Sequence, residues 1–221
     1  MNVCVIIPTF NEARNIASIV KKLKDYNLEV LVVDDGSKDN TAEIAIKSGA
    51  KVIRNPKNLG KGASLIKGFD YALKNNFDAV ITMDGDGQHL PEEVPKFIQR
   101  AEQSESSIFI GNRMSDVYSM PLVRKLTNRI MSFFISLIIK QKVPDTQCGL
   151  KLIKRKLLEK LKLNTKHYET ESEILFTAGR LGYKIESLPI HCVYLGEKSQ
   201  INPLLDTIRF IRFIMKYHIR S

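Results

Sequence analysis

The sequence predicts one α/β domain with a mostly parallel central sheet flanked by helices, and three observations point there. Short apolar runs alternate with segments whose apolar residues recur at helical spacing, the pattern of successive strand and helix units. Two of those runs, residues 29–35 and 80–84, end in aspartates, as expected of buried parallel strands that present ligand-binding groups at their carboxyl ends. The length of 221 residues suits one such domain with a substantial core, with or without a short appendage.

Residues 1–8 read as the first strand, because the run has no basic lead-in and is too short for a secretory signal. It ends at Pro8-Thr9-Phe10-Asn11-Glu12. A helix is expected over about 13–25, with Ile16, Ile19, Val20 and Leu23 on one face. The second strand closes on Asp34 and Asp35, and Gly36 and Ser37 lead through a turn to a helix over 41–48. Asp34 and Asp35 either face a ligand or serve as a helix cap and a loop anchor. A third strand is expected over 51–54, followed by a glycine-containing loop, 55–62, and a helix over about 63–75. That loop either offers backbone N–H groups and Lys61 to a phosphate or is a plain helix entry; it lacks P-loop or dinucleotide spacing.

The run over 80–84 stops at Asp84-Gly85-Asp86-Gly87-Gln88-His89. Side chains two apart in extended chain point the same way, so Asp84 and Asp86 can face one hard cation, with Gln88 adding a neutral oxygen. The alternative is a turn rich in Asp and Gly. A helix follows from about Pro91, with Glu92 and Glu93 suited to its first turn. Another strand is expected over 107–111, placing Arg113 at a strand end, where it meets an anion or pairs with a carboxylate.

The second half changes character. Residues 1–119 carry 15 Lys and Arg against 16 Asp and Glu, whereas residues 120–221 carry 19 against 8, so the net charge of +10 sits in the second half. That half calls for an anionic partner: nucleic acid, a phosphorylated substrate or an anionic membrane surface. Residues 121–140 place Arg124, Lys125 and Arg129 before an apolar stretch too short to span a bilayer. The segment is either a buried helix or one lying in a membrane interface. A loop over 145–150, a basic helix over 154–161, a helix over about 168–181 and a strand over 184–193 are expected next. Glu169, Glu171 and Glu173 cannot share one helical face, so at most two reach any site. A loop over 194–199 precedes a last helix, 203–219, whose Arg209, Arg212, Lys216 and Arg220 form a basic stripe suited to an anionic membrane. The division is a domain over 1–202 and a basic amphipathic helix over 203–221. Cys4, Cys148 and Cys192 lack metal or disulfide spacing, which fits a reducing cytoplasm.

Five motifs in register carry a resemblance: Pro8-Thr9-Phe10-Asn11-Glu12, Val33-Asp34-Asp35-Gly36-Ser37, Asn58-Leu59-Gly60-Lys61-Gly62, Met83-Asp84-Gly85-Asp86-Gly87-Gln88-His89 and Asp145-Thr146-Gln147-Cys148-Gly149. Together they resemble the family 2 glycosyltransferases, specifically the dolichyl-phosphate mannose synthase and glucosyltransferase group. The resemblance implies a GT-A fold and transfer, with inversion, of a hexose from a nucleotide sugar, GDP-mannose or UDP-glucose, to a polyprenyl or dolichyl phosphate. It implies that Pro8, Phe10, Glu12 and Asp35 hold the base and ribose, with Lys61 or its neighbours completing the pocket. Asp84, Asp86 and Gln88 match metal positions for Mg²⁺ or Mn²⁺, and Arg113 and Arg124 match residues that bind the acceptor phosphate. Asp86, Arg113 and Arg124 are the expected catalytic set, and Asp84 is also expected among the donor-binding residues. Many relatives carry an Arg and a Gly-x-Ser-Lys sequence in the late loop, where this chain has Tyr194, Gly196, Lys198 and Ser199.

The expected location is peripheral, on the cytoplasmic face of a membrane, either directly or through a membrane-protein partner. Two rivals remain. A saccharide hydroxyl as acceptor requires a carboxylate base, for which Asp145 or Glu171 is available. A nucleic-acid module would use the basic half, but no aromatic residues interleave with its charges as a stacking platform requires; no nucleic-acid partner is expected.

Overall fold

The computed structural model describes residues 1–115, 120, 122–165, 167 and 169–193. The expected loop over 194–199 and the basic helix over 203–221 lie outside the described residues.

Seven strands form one sheet in the order β3-β2-β1-β4-β6-β5-β7. Strand β1 (Val3–Thr9) is buried along its whole length and pairs in parallel with β2 (Glu29–Asp34) on one side and β4 (Ala79–Thr82) on the other. Strand β3 (Lys51–Arg54) continues the parallel set at the edge. These are the apolar strands legible in the sequence, and each is followed by the expected helix: α1 (Ile16–Asp25), α2 (Thr41–Lys47), α3 (Lys61–Lys74) and α4 (Val94–Gln103). Ile16, Ile19, Val20 and Leu23 of α1 are buried, as their spacing requires. Helix α3 packs closely on β1: a Cβ on Gly68 would lie 2.4 Å from Cγ2 of Ile6, so a larger residue there would push the helix off the sheet.

The other half departs from strict strand and helix alternation. Residues 151–154 were expected to stand between a loop and a basic helix; they form a strand, β6 (Lys151–Lys154), inserted antiparallel between β4 and β5 (Ile108–Asn112). The helix expected over 154–161 shrinks to α6 (Arg155–Leu158). Four residues with a lysine at each end are too short and too charged to announce a central strand, and it is sheet pairing on both sides that decides their conformation. Strand β7 (Ile185–Pro189) then lies parallel to β5 at the far edge. The sheet is therefore mostly parallel with one reversed strand.

Helix α5 (Leu122–Ile139) and helix α7 (Glu169–Arg180) pack against each other. One face of α5 is buried through Asn128, Ser132, Ile135 and Ile139. Its opposite face leaves Leu122, Leu126, Ile130, Phe133, Phe134 and Leu137 exposed, with Leu122 at 80%, Phe133 at 63% and Leu137 at 65%. The helix is thus both packed on the domain and apolar toward its outside. No helix among the described residues is long and apolar enough to cross a membrane.

Candidate active site

Because β1, β2 and β4 are parallel neighbours, the segments that leave their carboxyl ends gather at one edge of the sheet. Pro8 is buried in β1 opposite Val33, and Phe10 beyond it is half-buried. The segment is tied to the turn after β2: Ser37 Oγ accepts from the Asn11 amide at 2.9 Å, and Thr41 Oγ1 accepts from the Glu12 amide at 2.8 Å. The Glu12 carboxylate in turn accepts from Asn15 Nδ2 at 3.1 Å.

Asp34 and Asp35 take different partners. Asp34 accepts from the Ser37 amide at 3.2 Å and pairs with Arg54 Nε at 3.0 Å. Asp35 accepts from Asn55 Nδ2 at 2.7 Å, the Leu59 amide at 2.9 Å and the Gly60 amide at 2.8 Å. It thereby organises the loop that delivers Lys61 as the first residue of α3.

Lys61 reaches the end of β4. Its Nζ lies 2.5 Å from Asp84 Oδ1 and 2.8 Å from Glu171 Oε1. The other Glu171 oxygen pairs with Lys151, which is fully buried on β6 and also donates to the Cys148 carbonyl. Burial opposes the charge on Lys61 and on Asp84, but their mutual attraction prevails: Asp84 and Glu171 hold Lys61 above its usual range, and Lys61 holds Asp84 well below the usual carboxylate range. The carboxyl of Asp86 moves the opposite way, raised by burial and by the charge of Asp84. Burial pushes His89 down to about 4, so it is neutral at pH 7; its Nε2 stands 3.7 Å from Cys148 Sγ.

The 145–149 loop closes one side of this cluster. Thr82 Oγ1 donates to the Gly149 carbonyl at 2.7 Å, and a Cβ on Gly149 would fall 2.3 Å from Asp84 Oδ2. A side chain at position 149 would therefore force the Asp84 carboxylate to move. The start of the loop is fixed by Asp145, which receives Arg113 Nε at 2.7 Å and Nη2 at 2.9 Å; both residues are buried. Arg113 thus has its charge answered inside the domain. Arg124 reaches from α5 to Gln88, its Nη1 donating to Oε1 at 3.2 Å.

Asp84, Asp86 and Gln88 offer hard oxygen donors of the type Mg²⁺ and Mn²⁺ prefer, and burial together with the charge of Asp84 raises the Asp86 carboxyl. By charge and donor type these residues fit a divalent cation. Among the described residues, no group of three or more His, Cys, Asp and Glu is arranged to hold a metal, so such an ion would rest on the two aspartates and Gln88.

Lys151 and the part played by Glu171 were not foreseen. The one local signal for Lys151 is a single lysine following Leu150 and preceding Leu152 and Ile153, all buried. Of the three glutamates of α7, Glu171 reaches the cluster, while Glu173 accepts from the amides of Asn164 and Thr165 at 3.0 Å each.

The pattern described as Glycosyl transferase family 2 matches residues 4–162. The chain is 32% identical over 213 residues to the UDP-N-acetylglucosamine–dolichyl-phosphate N-acetylglucosaminyltransferase of Methanococcus voltae, covering 86% of this chain and 85% of that protein. It is 28% identical over 214 residues to the undecaprenyl-phosphate mannosyltransferase of Micrococcus luteus, covering 90% and 87%. Among solved structures it resembles the glucosyl-3-phosphoglycerate synthase of Mycobacterium tuberculosis in complex with Mn²⁺ and UDP-glucose, with a TM-score of 0.74 at 22% identity, covering 93% of this chain and 74% of that one. At that identity the likeness establishes the GT-A fold and no more.

Proposed function

Because the chain belongs to glycosyl transferase family 2, we propose that it transfers a hexose from a nucleotide sugar to a polyprenyl or dolichyl phosphate at a membrane surface, with inversion at the anomeric carbon. The single observation that supports this acceptor best is the bond from Arg124 to Gln88, because it joins the helix with the exposed apolar face to the acidic edge of the sheet. A lipid whose isoprenoid tail lies along α5 would present its phosphate beside Arg124 and within reach of the sugar.

In this reading Pro8, Phe10, Glu12 and Asp35 line the base and ribose pocket, with Asp35 acting through the loop it organises. Asp84, Asp86 and Gln88 would hold Mg²⁺ or Mn²⁺, which would supply Lewis-acid stabilisation for the charge developing on the departing nucleoside diphosphate. An oxygen of the acceptor phosphate attacks the anomeric carbon from the side opposite the diphosphate. The bond from that carbon to the diphosphate breaks, and the nucleoside diphosphate leaves. The attacking oxygen is already anionic at neutral pH, so no base is required. Arg124 orients it, an effect of position rather than of proton transfer. Arg113 contributes by fixing Asp145 and with it the loop that covers Asp84.

Both base candidates of the saccharide-hydroxyl alternative are committed to ion pairs. Burial would raise the carboxyl of Asp145, but Arg113 outweighs it and holds it low; burial likewise opposes the charge on Glu171, which Lys151 and Lys61 hold low. Carboxylates so committed to ion pairs are poor proton acceptors.

The exposed apolar face of α5, flanked by Arg124, Lys125 and Arg129, supports a peripheral site on an anionic membrane. The deciding assay incubates the protein with Mg²⁺, undecaprenyl or dolichyl phosphate, and labelled UDP-glucose, UDP-N-acetylglucosamine or GDP-mannose in parallel. Label extracted into organic solvent from one donor identifies sugar and acceptor class together. Nucleotide release without extractable label from any donor refutes the lipid acceptor.

A further inference from the structure

Lys151, Glu171, Lys61 and Asp84 form a row of alternating charge that crosses from β6 through α7 and α3 to the end of β4. Its members differ in freedom. Lys151 is fully buried and held by both Glu171 and the Cys148 carbonyl, so the Glu171 end of the row is anchored. Lys61 extends a flexible four-carbon stem from the first residue of α3, and its side chain keeps 18% exposure. Its ammonium touches two carboxylates at once, and one of them, Asp84, is the residue a divalent cation would need. An ammonium and a divalent cation crowded onto one carboxylate in a partly dry cleft repel strongly.

We propose that Lys61 and the divalent cation compete for Asp84, and that Glu171, anchored by Lys151, is the second berth that keeps the ammonium in the site when the cation takes Asp84. The inference rests on the cation reading of Asp84, Asp86 and Gln88. It makes Glu171 a positioning residue. It also gives cation and donor a shared free energy: the donor's diphosphate offers the released ammonium a new anionic partner, so each ligand assists the other's entry.

The test titrates wild type, Lys61→Gln and Glu171→Gln with Mn²⁺, following unbound Mn²⁺ by electron paramagnetic resonance, first alone and then with UDP or GDP. Thermal unfolding checks that each variant is folded. Without nucleotide, Lys61→Gln is expected to bind Mn²⁺ at least about tenfold tighter than wild type, because the competitor is gone. Glu171→Gln is expected to bind at least about threefold more weakly, because Lys61 is left with Asp84 as its only acidic partner in the row. Nucleoside diphosphate should tighten Mn²⁺ binding more in wild type than in Lys61→Gln. Unchanged or weaker binding by Lys61→Gln overturns the competition, and unchanged or tighter binding by Glu171→Gln overturns the berth. If Glu171→Gln does not fold, Lys61→Gln alone decides, since its side chain stands at the cleft rather than in the core. Lower melting temperatures with unmoved Mn²⁺ affinity would mean a purely structural ion row and would refute the inference while leaving the cation reading in place. No Mn²⁺ bound by any of the three proteins, with or without UDP or GDP, would remove the cation reading and the inference together.

Discussion

Arg113 and Asp145 meet through two parallel N–H···O bonds of 2.7 and 2.9 Å, in a pair almost wholly removed from solvent. The Arg113 amide adds a third bond to the same carboxylate at 3.2 Å. Such a pair is costly to assemble but costlier to break, because removing one partner strands the other as a buried charge. Arg113→Ala should therefore lower stability by about 3–5 kcal/mol. Urea unfolding measures this, and a loss below about 1 kcal/mol would show that water or another partner rescues Asp145.

Asp86→Asn keeps the size of the side chain and removes its charge. Mn²⁺-dependent transfer should fall at least about hundredfold, with the circular dichroism spectrum unchanged. Retention of full turnover would exclude Asp86 from the metal site.

Arg124→Gln should act on the acceptor rather than the donor. The KM for polyprenyl phosphate is expected to rise at least about tenfold, with the donor KM moving far less. Equal changes in both would place Arg124 on the nucleotide.

The outer face of α5 can be changed without touching the core. Phe133→Ser with Leu137→Ser should weaken binding to phosphatidylglycerol vesicles at least about tenfold, while stability stays within about 1 kcal/mol because both side chains are exposed. Undiminished vesicle binding would shift the membrane contact away from this helix.

Glu186 supplies an acid-sensitive element far from the site. Burial alone would raise its carboxyl, but hydrogen bonds from Ser104, Ser106 and Arg100 outweigh that and hold it at about 2 instead of 4.5. A carboxyl depressed in the folded state stabilises the protein above its unfolded value and loses that contribution as pH falls. The loss should run from about pH 4.5 down through about 2. Glu186→Gln should flatten acid unfolding in that window; an unchanged profile would show that the carboxyl is not depressed.

The parallel half of the sheet was legible because each of its strands announces itself locally. Val3–Pro8 and Val30–Val33 are continuous apolar runs, and the helix after the first carries its core residues at helical spacing. The reversed strand β6 was not legible, since Lys151–Lys154 is lysine at both ends and owes its conformation to β4 and β5 on either side. On α5 the sequence left a buried helix and one lying in a membrane interface as alternatives; the helix buries one face and leaves an apolar face exposed.

The sequence by itself determined which chemistry stands at the strand ends. Asp34, Asp35, Asp84 and Asp86 follow buried runs, and short-range patterning and the pleat suffice to place them at one edge. Only the tertiary structure decided what those groups touch. Asp35 is given to the 55–60 loop, Arg113 to Asp145, and Asp84 to a lysine that Glu171 shares. These partners come from separate elements, and local periodicity carries no information about which distant charge packing will bring within 3 Å. The low dielectric of the interior then makes that choice strongly felt, since a buried charge must find a partner and, once paired, is expensive to release.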